Sequence, residues 1–396
     1  MVDRLVVPCY KQTIKNCGRS CDMEKVFRSG GAVYIQNAIA AAVEDGSREA
    51  VISGNWEMDA AVRIPGDFTL ILENCHLRLA DGTYCNIFVN EHHDTELGKT
   101  LAGRDRNISI LGRGEAILDG GNYNGLSEKT QKKDGLPPIW KNNMILFTNV
   151  EGFYIANLHC RNQRWWALNF IYCAHGVVEN IDFCACDIGV DENGNQYHGL
   201  KRDKYNEVLV KNADGVDLRQ GCHSIVIRNI TGFCEDDSVA LTCLNGGMEQ
   251  RFAVEGLSPE LCHVTVQNVR TAAYCSNVRL LNQGGMILHD ILVDGVEDMS
   301  EACPYLDYGI YGVNVGDIHM YGSRHSVSGE TYNITLRNVK HGGVAAIRLA
   351  GVIDNLVTEN ITVPEIEQNF DARIQIPHGK ETVEARAATQ AILDQR

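Results

Sequence analysis

The chain has 396 residues, of which 44% are hydrophobic, enough to bury a large core. Its formal net charge of −15 excludes nucleic acid as a partner, because nucleic-acid binding needs a basic face. The same charge opposes the approach of an acidic polymer and favours a neutral or short substrate.

The amino-terminal residues and the 15 cysteines predict a cytoplasmic protein. Leu5–Val7 is the only apolar run within residues 1–12, far short of a secretion signal. No stretch approaches the length of a membrane span, so no membrane contact is predicted. The cysteines are therefore expected to be reduced, and those at strand positions, such as Cys160, Cys173 and Cys262, to act as small core residues.

Four short segments have metal-binding residues, but no metal or other cofactor is predicted. The cysteine spacings Cys184–Cys186 and Cys17–Cys21 have no second pair at zinc spacing. Glu91–Asp94 lacks a third convergent ligand and is interpreted as a solvated loop. Asp191–Asn195 has its glycine in the wrong place for a calcium loop.

The first predicted element is a short amphipathic helix over residues 31–45, after an irregular segment over residues 1–30. Ile35, Ile39 and Val43 recur there at helical spacing among alanines. A helix laid over the apolar end of stacked strands blocks edge-to-edge pairing, so this segment is expected to cap that end. The alternative is that it begins a separate small domain.

Residues 50–365 carry a repeated pattern that predicts stacked coils of β-strand. The pattern reads apolar, any, apolar, any, Asn, apolar, and its intervals are interpreted as one turn of about 22 to 26 residues or two such turns. Because the unit contains no regular helix, a parallel β-helix is predicted, with scattered strands of a sandwich or barrel as the alternative. Its polar position is expected to stack from coil to coil. The residues at that position are Asn157, Asn180, Asn229, Asn268, Asn338 and Asn360, with Asp294 as a variant.

Trp165 and Trp166 are predicted to supply a sugar-binding surface. On a strand, neighbouring side chains point to opposite sides, so one indole would face a cleft. An exposed aromatic ring suits the apolar face of a sugar. The alternative is that both rings pack in the core at a bend.

Two polar loops are expected near that cleft. Gly121–Asn142 is interpreted as an insertion that walls the binding face. In the loop Asp187–Val208, His198 and Lys201 are candidate substrate-binding residues, because they could bring positive and proton-handling groups over the cleft. A plain surface loop is the alternative.

Carboxylates one period apart predict the catalytic site. Asp214 is followed 22 residues later by the adjacent Asp236 and Asp237, with one strand-like segment between them. On neighbouring coils these residues would lie about 5 Å apart, and their repulsion would raise the proton affinity of at least one. That difference allows like groups to divide acid and base roles. Asp217 is a substrate-binding candidate on the same segment.

A single domain is predicted over residues 1–396, and two segments after the aspartate pair carry further predictions. Arg279, interpreted as lying two coils beyond the aspartate pair, is a substrate-binding candidate, because a guanidinium can clamp hydroxyls or carboxylates. The alternative is that Arg279 is an ordinary exposed residue of a strand. Residues 380–396 have helical spacing that predicts a helix, either a cap on the other end or a contact in a homo-oligomer.

Asn212–Asp214 and Asp236-Asp237 resemble the Asn-Thr-Asp and Asp-Asp motifs of the polygalacturonase-like glycoside hydrolases (family 28), in the pectin lyase-like superfamily. Arg164–Leu168 resembles the family's aromatic strand, and Thr69–Glu73 and Ala116–Gly120 its early coils. The resemblance covers roughly residues 30 to 365. It implies an all-β fold, a single right-handed parallel β-helix, that hydrolyses an oligosaccharide with inversion. It also implies Asp236 as the acid, with Asp214 and Asp237 positioning water.

Two departures from the family bear on the substrate. The family's Gly-His-Gly is missing from Val254–Cys262, and Arg279–Leu281 keeps the Arg of Arg-Ile-Lys but not the Lys that binds a substrate carboxylate. A short neutral or singly charged oligosaccharide is therefore expected instead of polygalacturonate. The rival hypotheses are a lyase or glycosyl transferase on the same scaffold, and a non-catalytic carbohydrate-binding solenoid.

Overall fold

The computed structural model describes residues 26–121, 139–163, 165–185, 189–190, 196–197, 214–303, 306, 309–317, 321–322, 324–362 and 374–375. Two ten-stranded parallel sheets run through these residues and confirm the predicted all-β solenoid. The predicted helix over residues 380–396 and most of the irregular segment 1–30 lie outside the described residues.

Strands are numbered in chain order and alternate between the two sheets. The first sheet has the order β1 (Glu49–Met58), β3 (Phe68–Leu79), β5 (Asp105–Asp119), β7 (Val150–Arg161), β9 (Ala174–Cys184), β13 (His223–Cys234), β15 (Leu261–Ala273), β17 (Leu288–Asp298), β19 (Thr331–Lys340) and β21 (Asp354–Thr362). The second has the order β2 (Val62–Ile64), β4 (Phe88–Asn90), β6 (Ile145–Thr148), β8 (Leu168–Ile171), β12 (Val216–Arg219), β14 (Val239–Cys243), β16 (Ser276–Asn282), β18 (Tyr311–Val315), β20 (Ala345–Leu349) and β22 (Ile374–Gln375). An antiparallel pair, β10 (Gly189–Val190) and β11 (Gln196–Tyr197), lies apart from both.

Helices are few among the described residues. The α-helices there are α1 (Gly31–Glu44) and α2 (Gly247–Arg251). Single 3₁₀ turns span Leu97–Lys99, Leu101–Gly103, Ile139–Lys141 and Ser300–Ala302. In the described part of the chain, no helix is long and apolar enough to cross a membrane.

Helix α1 packs on β1 and β2, and the prediction of a short amino-terminal helix is confirmed. Ile35 and Ile39 are buried on the core side, but Val43 is 37% exposed, so its predicted place on the buried face is wrong. The helix begins where a side chain would not fit: a Cβ on Gly31 would lie 2.8 Å from the backbone oxygen of Glu57.

The predicted asparagine ladder is confirmed. Its asparagines have left-handed backbone with φ between 52° and 60°, which Asn tolerates better than most residues. Their side-chain amides donate from coil to coil: Asn180 to Asn157 at 2.9 Å, Asn229 to Asn180 at 2.9 Å and Asn268 to Asn229 at 3.2 Å. The predicted variant Asp294 differs slightly. Gly295 has the left-handed backbone there, with φ 84°, and Asp294 accepts from Asn338 at 2.7 Å.

The interpretation of the long intervals as two turns is wrong. Asn180 and Asn229 are 49 residues apart, yet they hydrogen-bond directly because β9 pairs with β13. Likewise β13 pairs with β15 across 39 residues, and β17 with β19 across 44. Every interval is therefore one coil, and the longer coils contain insertions between strands.

Substituting Asn229 should separate its backbone role from its side-chain role. We expect Asn229→Ala to destabilise the fold more than Asn229→Gly, by about 1 kcal/mol. The reason is that left-handed backbone is sterically unfavourable for alanine but not for glycine. Both variants lose the amide bonds to Asn180 and Asn268. Urea unfolding of the three proteins measures the difference. Equal stability of the two variants would show that the backbone conformation at Asn229 is unimportant.

Among the described residues, the cysteines follow the sequence-based expectation except at Cys184. Free thiols occur at Cys75, Cys85, Cys160, Cys173, Cys222, Cys234, Cys243, Cys262, Cys275 and Cys303, and most of them are buried. Cys184 is disulfide-bonded instead. The expectation of reduced cysteines is therefore wrong at that residue.

Candidate active site

The carboxylates predicted from the repeat converge between two coils of the second sheet. Val216 of β12 lies opposite Val239 of β14, and Asp214 and Asp237 each lie two residues before these paired valines. The Asp237 N–H donates to Asp214 Oδ1 at 3.2 Å. One carboxylate oxygen from each of Asp214, Asp236 and Asp237 lies within 4.8 Å of the other two. The close approach of strands in adjacent coils therefore places three acids around one point.

Burial and neighbouring negative charges make Asp214, Asp217 and Asp237 hold protons more tightly than usual. Burial, followed by the charge of Asp217, raises the pKa of Asp214 well above its ordinary range. Burial raises the pKa of Asp217 to about 7, against the opposing charge of Arg219. Burial, and then the charge of Asp236, raises the pKa of Asp237 to about 8, opposed by Arg279. Asp214, Asp217 and Asp237 therefore retain protons near neutral pH, and their titrations are coupled.

The raised pKa of Asp237 predicts that the folded protein loses stability as the pH rises. The ordinary value is 3.8 and the folded value is about 8, so its contribution is fully present below about pH 4. That contribution is lost as the pH climbs through about 8. Asp237→Asn cannot ionise, so its free energy of unfolding should decline less between these two pH values, by a few kcal/mol at about 1.4 kcal/mol per pKa unit. Urea unfolding at a series of pH values measures both curves; parallel curves would contradict the prediction.

Arg219 links Asp217 to a distant helix and was not identified from the sequence. Its guanidinium donates to Asp217 Oδ1 at 3.2 Å, to Asn169 Oδ1 at 3.2 Å and to Glu249 Oε1 at 3.0 Å. Arg219 is 3% exposed, and Glu249 belongs to α2. The sequence could have indicated that Arg219 lies beside Asp217, because residues two apart on β12 share a face of the strand. Nothing in the sequence indicated the pairing of Arg219 with Glu249, 30 residues away.

Trp166 lies beside this network, and the strand argument for the tryptophan pair is wrong. Both residues precede β8, and Trp165 has left-handed backbone with φ 49°. Trp165 is buried, whereas Trp166 is half-buried with the Arg219 guanidinium 3.7 Å above its ring. Trp166 is thus the one of the pair whose ring contacts the guanidinium that binds Asp217.

Arg279 lies one coil beyond the aspartate pair, because β14 pairs directly with β16 and places Ala240 opposite Arg279. The predicted distance of two coils is wrong. Arg279 is 8% exposed, and its Nη1 donates to the backbone oxygen of Asn314 at 3.0 Å. Its charge opposes the rise in the pKa of Asp237, which places the guanidinium near the carboxylates.

Tyr321 is a further residue of the site that the sequence did not indicate. It follows β18, and Asp317 Oδ2 accepts from the N–H groups of Tyr321 at 3.2 Å and Gly322 at 2.7 Å. Burial of its hydroxyl, and then the charge of Asp236, raises the pKa of Tyr321, although 55% of the residue is exposed. No periodic or motif signal marks this tyrosine in the sequence.

No protein-family model matches the sequence, and no curated protein does. Solved structures share the fold. A mutant tailspike protein of E. coli bacteriophage HK620, in complex with a pentasaccharide, matches with a TM-score of 0.52 and 14% identity, over 87% of this chain and 61% of the tailspike chain. The iota-carrageenase of family GH82 from A. fortis matches with a TM-score of 0.52 and 10% identity, over 90% of this chain and 89% of that one. At these identities the likeness shows the parallel β-helix fold alone.

Two clusters in the described part of the chain have donor sets that a cation could use. One is the carboxylate trio, where the proton held by Asp237 would compete with a cation. The other is Glu91 and His92 of the Glu91–Asp94 loop together with Asp105, so the expectation that this loop lacks a third convergent ligand is wrong. There Asp105 already accepts from His92 Nδ1 at 2.7 Å and from Asn90 Nδ2 at 2.7 Å. The candidates His198 and Lys201 lie outside the described residues.

Proposed function

We propose that the protein is a glycoside hydrolase acting on a short oligosaccharide. The observation that carries this proposal is the convergence of Asp214, Asp236 and Asp237 within 4.8 Å, with raised pKa values at Asp214 and Asp237. Glycoside hydrolysis needs one carboxyl that keeps its proton beside another that has lost it. The tailspike in complex with a pentasaccharide and the iota-carrageenase, which share the fold, support a carbohydrate substrate.

The proposed reaction is a single displacement by water. A protonated carboxyl of the three gives its proton to the leaving oxygen while the bond from that oxygen to the anomeric carbon breaks, and the resemblance to family 28 assigns this role to Asp236. Asp214 and Asp237 orient the water that attacks the opposite face, and the ionised member of this pair takes its proton. The Asp237 N–H bond to Asp214 holds the two groups in one arrangement. Arg219 keeps Asp217 in place beside them.

The spacing of the carboxylates makes retention the second candidate. Inverting enzymes typically separate two carboxyl groups by about 6.5–9.5 Å and retaining enzymes by about 5–5.5 Å, whereas these oxygens lie within 4.8 Å. A third carboxylate lets two groups hold water while one donates, and this supports inversion despite the short spacing. Proton NMR of the first product distinguishes the two: the opposite anomer supports inversion. The same anomer, with a trapped glycosyl-enzyme, would establish retention.

A substrate panel tests the function and the charge preference together. We expect faster release of reducing ends from neutral hexasaccharides of glucose, galactose, mannose or xylose than from polygalacturonate or iota-carrageenan. The net charge of −15 repels polyanions at low salt, and Leu281 stands where the family's pectinases have Lys. Faster turnover of polygalacturonate would contradict this, and then Lys201→Ala would test whether the long loop replaces the lost contact.

The same panel tests the rival hypotheses. Unsaturated products would indicate a lyase, transfer products a glycosyl transferase, and binding without turnover a carbohydrate-binding solenoid. The cytoplasmic location and homo-oligomer remain predictions, which cell fractionation and light scattering test.

A further inference from the structure

The outer face of the second sheet is covered on one side of the carboxylates. Strand register places Val89 of β4, Leu146 of β6, Asn169 of β8 and Asp217 of β12 in one row. Their strand neighbours, such as Leu168, belong to the core, so this row faces outward. Val89 is nevertheless 2% exposed, and Leu146 and Asn169 are 0% exposed. Another part of the chain must therefore lie over these coils.

The covering segment is the insertion at residues 244–260, which contains α2 and is called the wall below. Its residues Met248, Phe252 and Val254 form an apolar cluster with Val89 and Leu146. The wall leaves the carboxyl end of β14, the end opposite the aspartate pair, and crosses over β8, β6 and β4. Glu249 of the wall binds the Arg219 that holds Asp217, so the wall extends from beside Asp217 toward the amino-terminal end of the solenoid.

Polar contacts fix the wall along its length. Near the carboxylates, Glu249 accepts from Arg219 at 3.0 Å. Farther along, Arg251 donates to both oxygens of Asp94 at 2.6 and 2.8 Å. At the far end, the N–H of Glu255 donates to the backbone oxygen of Lys99 at 2.9 Å. A ligand approaching along these coils meets a packed and anchored surface.

From this geometry we propose that the protein cleaves its substrate from a chain end. A glycan lying along the outer face of the second sheet cannot continue past Asp217 toward the amino-terminal coils, because the wall occupies that path. On the other side of the carboxylates, Tyr321 is 55% exposed. The half-buried ring of Trp166, held under Arg219, lies where the terminal sugar would rest. This inference rests on the proposed glycoside hydrolase function.

Early products from end-labelled oligosaccharides test the proposal. Tetra- to octasaccharides of xylose, mannose, galactose and galacturonate, labelled at the reducing end with 2-aminobenzamide, are digested briefly and separated by length. We expect each hydrolysed substrate to lose a piece of constant size from one end. Mixed mid-chain products overturn this proposal and leave the hydrolase intact. No hydrolysis of any of these substrates overturns the hydrolase function and this inference with it.

Removing part of the wall should change the products without changing the chemistry. In Arg251→Ala/Phe252→Ala, the contacts to Asp94, Trp140 and His93 are lost, and mid-chain products absent from the wild type should appear. Gln250→Ala, at an exposed position of the same helix, is the matched control and should keep the wild-type products. Circular dichroism confirms folding of each variant. A folded double variant with unchanged products would show that the wall does not limit the substrate.

Discussion

Replacing Asp236 with asparagine should lower kcat by about 10²- to 10⁴-fold, the usual contribution of a general acid. An amide cannot protonate the leaving oxygen, and it changes neither the size of the side chain nor the course of the backbone between β13 and β14. The loss should be much smaller on an aryl glycoside with a good leaving group, which departs without a proton. Steady-state kinetics on the natural linkage and on the aryl glycoside measure both effects.

Two further variants serve as the control and the comparison for Asp236→Asn. Asp81→Asn alters an exposed carboxylate that pairs with Arg78 and should leave kcat unchanged. Asp237→Asn should lose activity on both substrates, because positioning the water is needed whatever the leaving group. If Asp237→Asn recovers on the aryl glycoside and Asp236→Asn does not, the two roles are the reverse of those proposed.

Arg219→Leu should destabilise the protein by about 3–5 kcal/mol, the usual cost of removing one partner from a buried ion pair. The substitution leaves Asp217, 0% exposed, and Glu249, 3% exposed, without their shared cation. It also removes the charge that holds down the pKa of Asp217, so any pH dependence of activity due to Asp217 should move to higher pH. Urea unfolding and a pH–rate profile measure the two effects.

Arg113→Leu is the matched control for this loss of stability. Arg113 pairs with Glu73 at 3.0 Å, but its side chain is 60% exposed, so its removal should cost at most about 1 kcal/mol. Equal losses from the two arginine variants would contradict the central place given to Arg219. A stable Arg219→Leu with an unshifted pH profile would do the same.

The local pattern in the sequence was sufficient to predict the solenoid and the meeting of the carboxylates. Each ladder asparagine sits in its own short motif, and adjacent coils necessarily bring equivalent positions together. Asp214 and Asp237 follow from that rule alone. The resemblance to family 28 added roles for these residues, which remain proposals.

Other features depend on contacts that no local pattern records. The number of residues in a coil cannot be read from spacing alone, since an insertion and an extra turn lengthen an interval alike. That ambiguity misplaced Arg279 by one coil. The placement of Trp165 and Trp166 depended on where β8 begins. The pairing of Arg219 with Glu249 depended on how the insertion that contains Glu249 folds back onto the second sheet. The raised pKa values depend on burial, which only the folded chain determines.

The direct pairing of coils across intervals of unequal length has a mechanical consequence. If the ends of the solenoid are pulled apart along its axis, the strands of one coil after another separate from the coil next to them. Each opened coil releases its own length of chain, at about 3.4 Å per residue. The 23 residues from Asn157 to Asn180 would release roughly 80 Å, and the 49 from Asn180 to Asn229 roughly 170 Å. A force–extension trace of a single molecule would thus show steps of distinct sizes, which identify the coil that has opened.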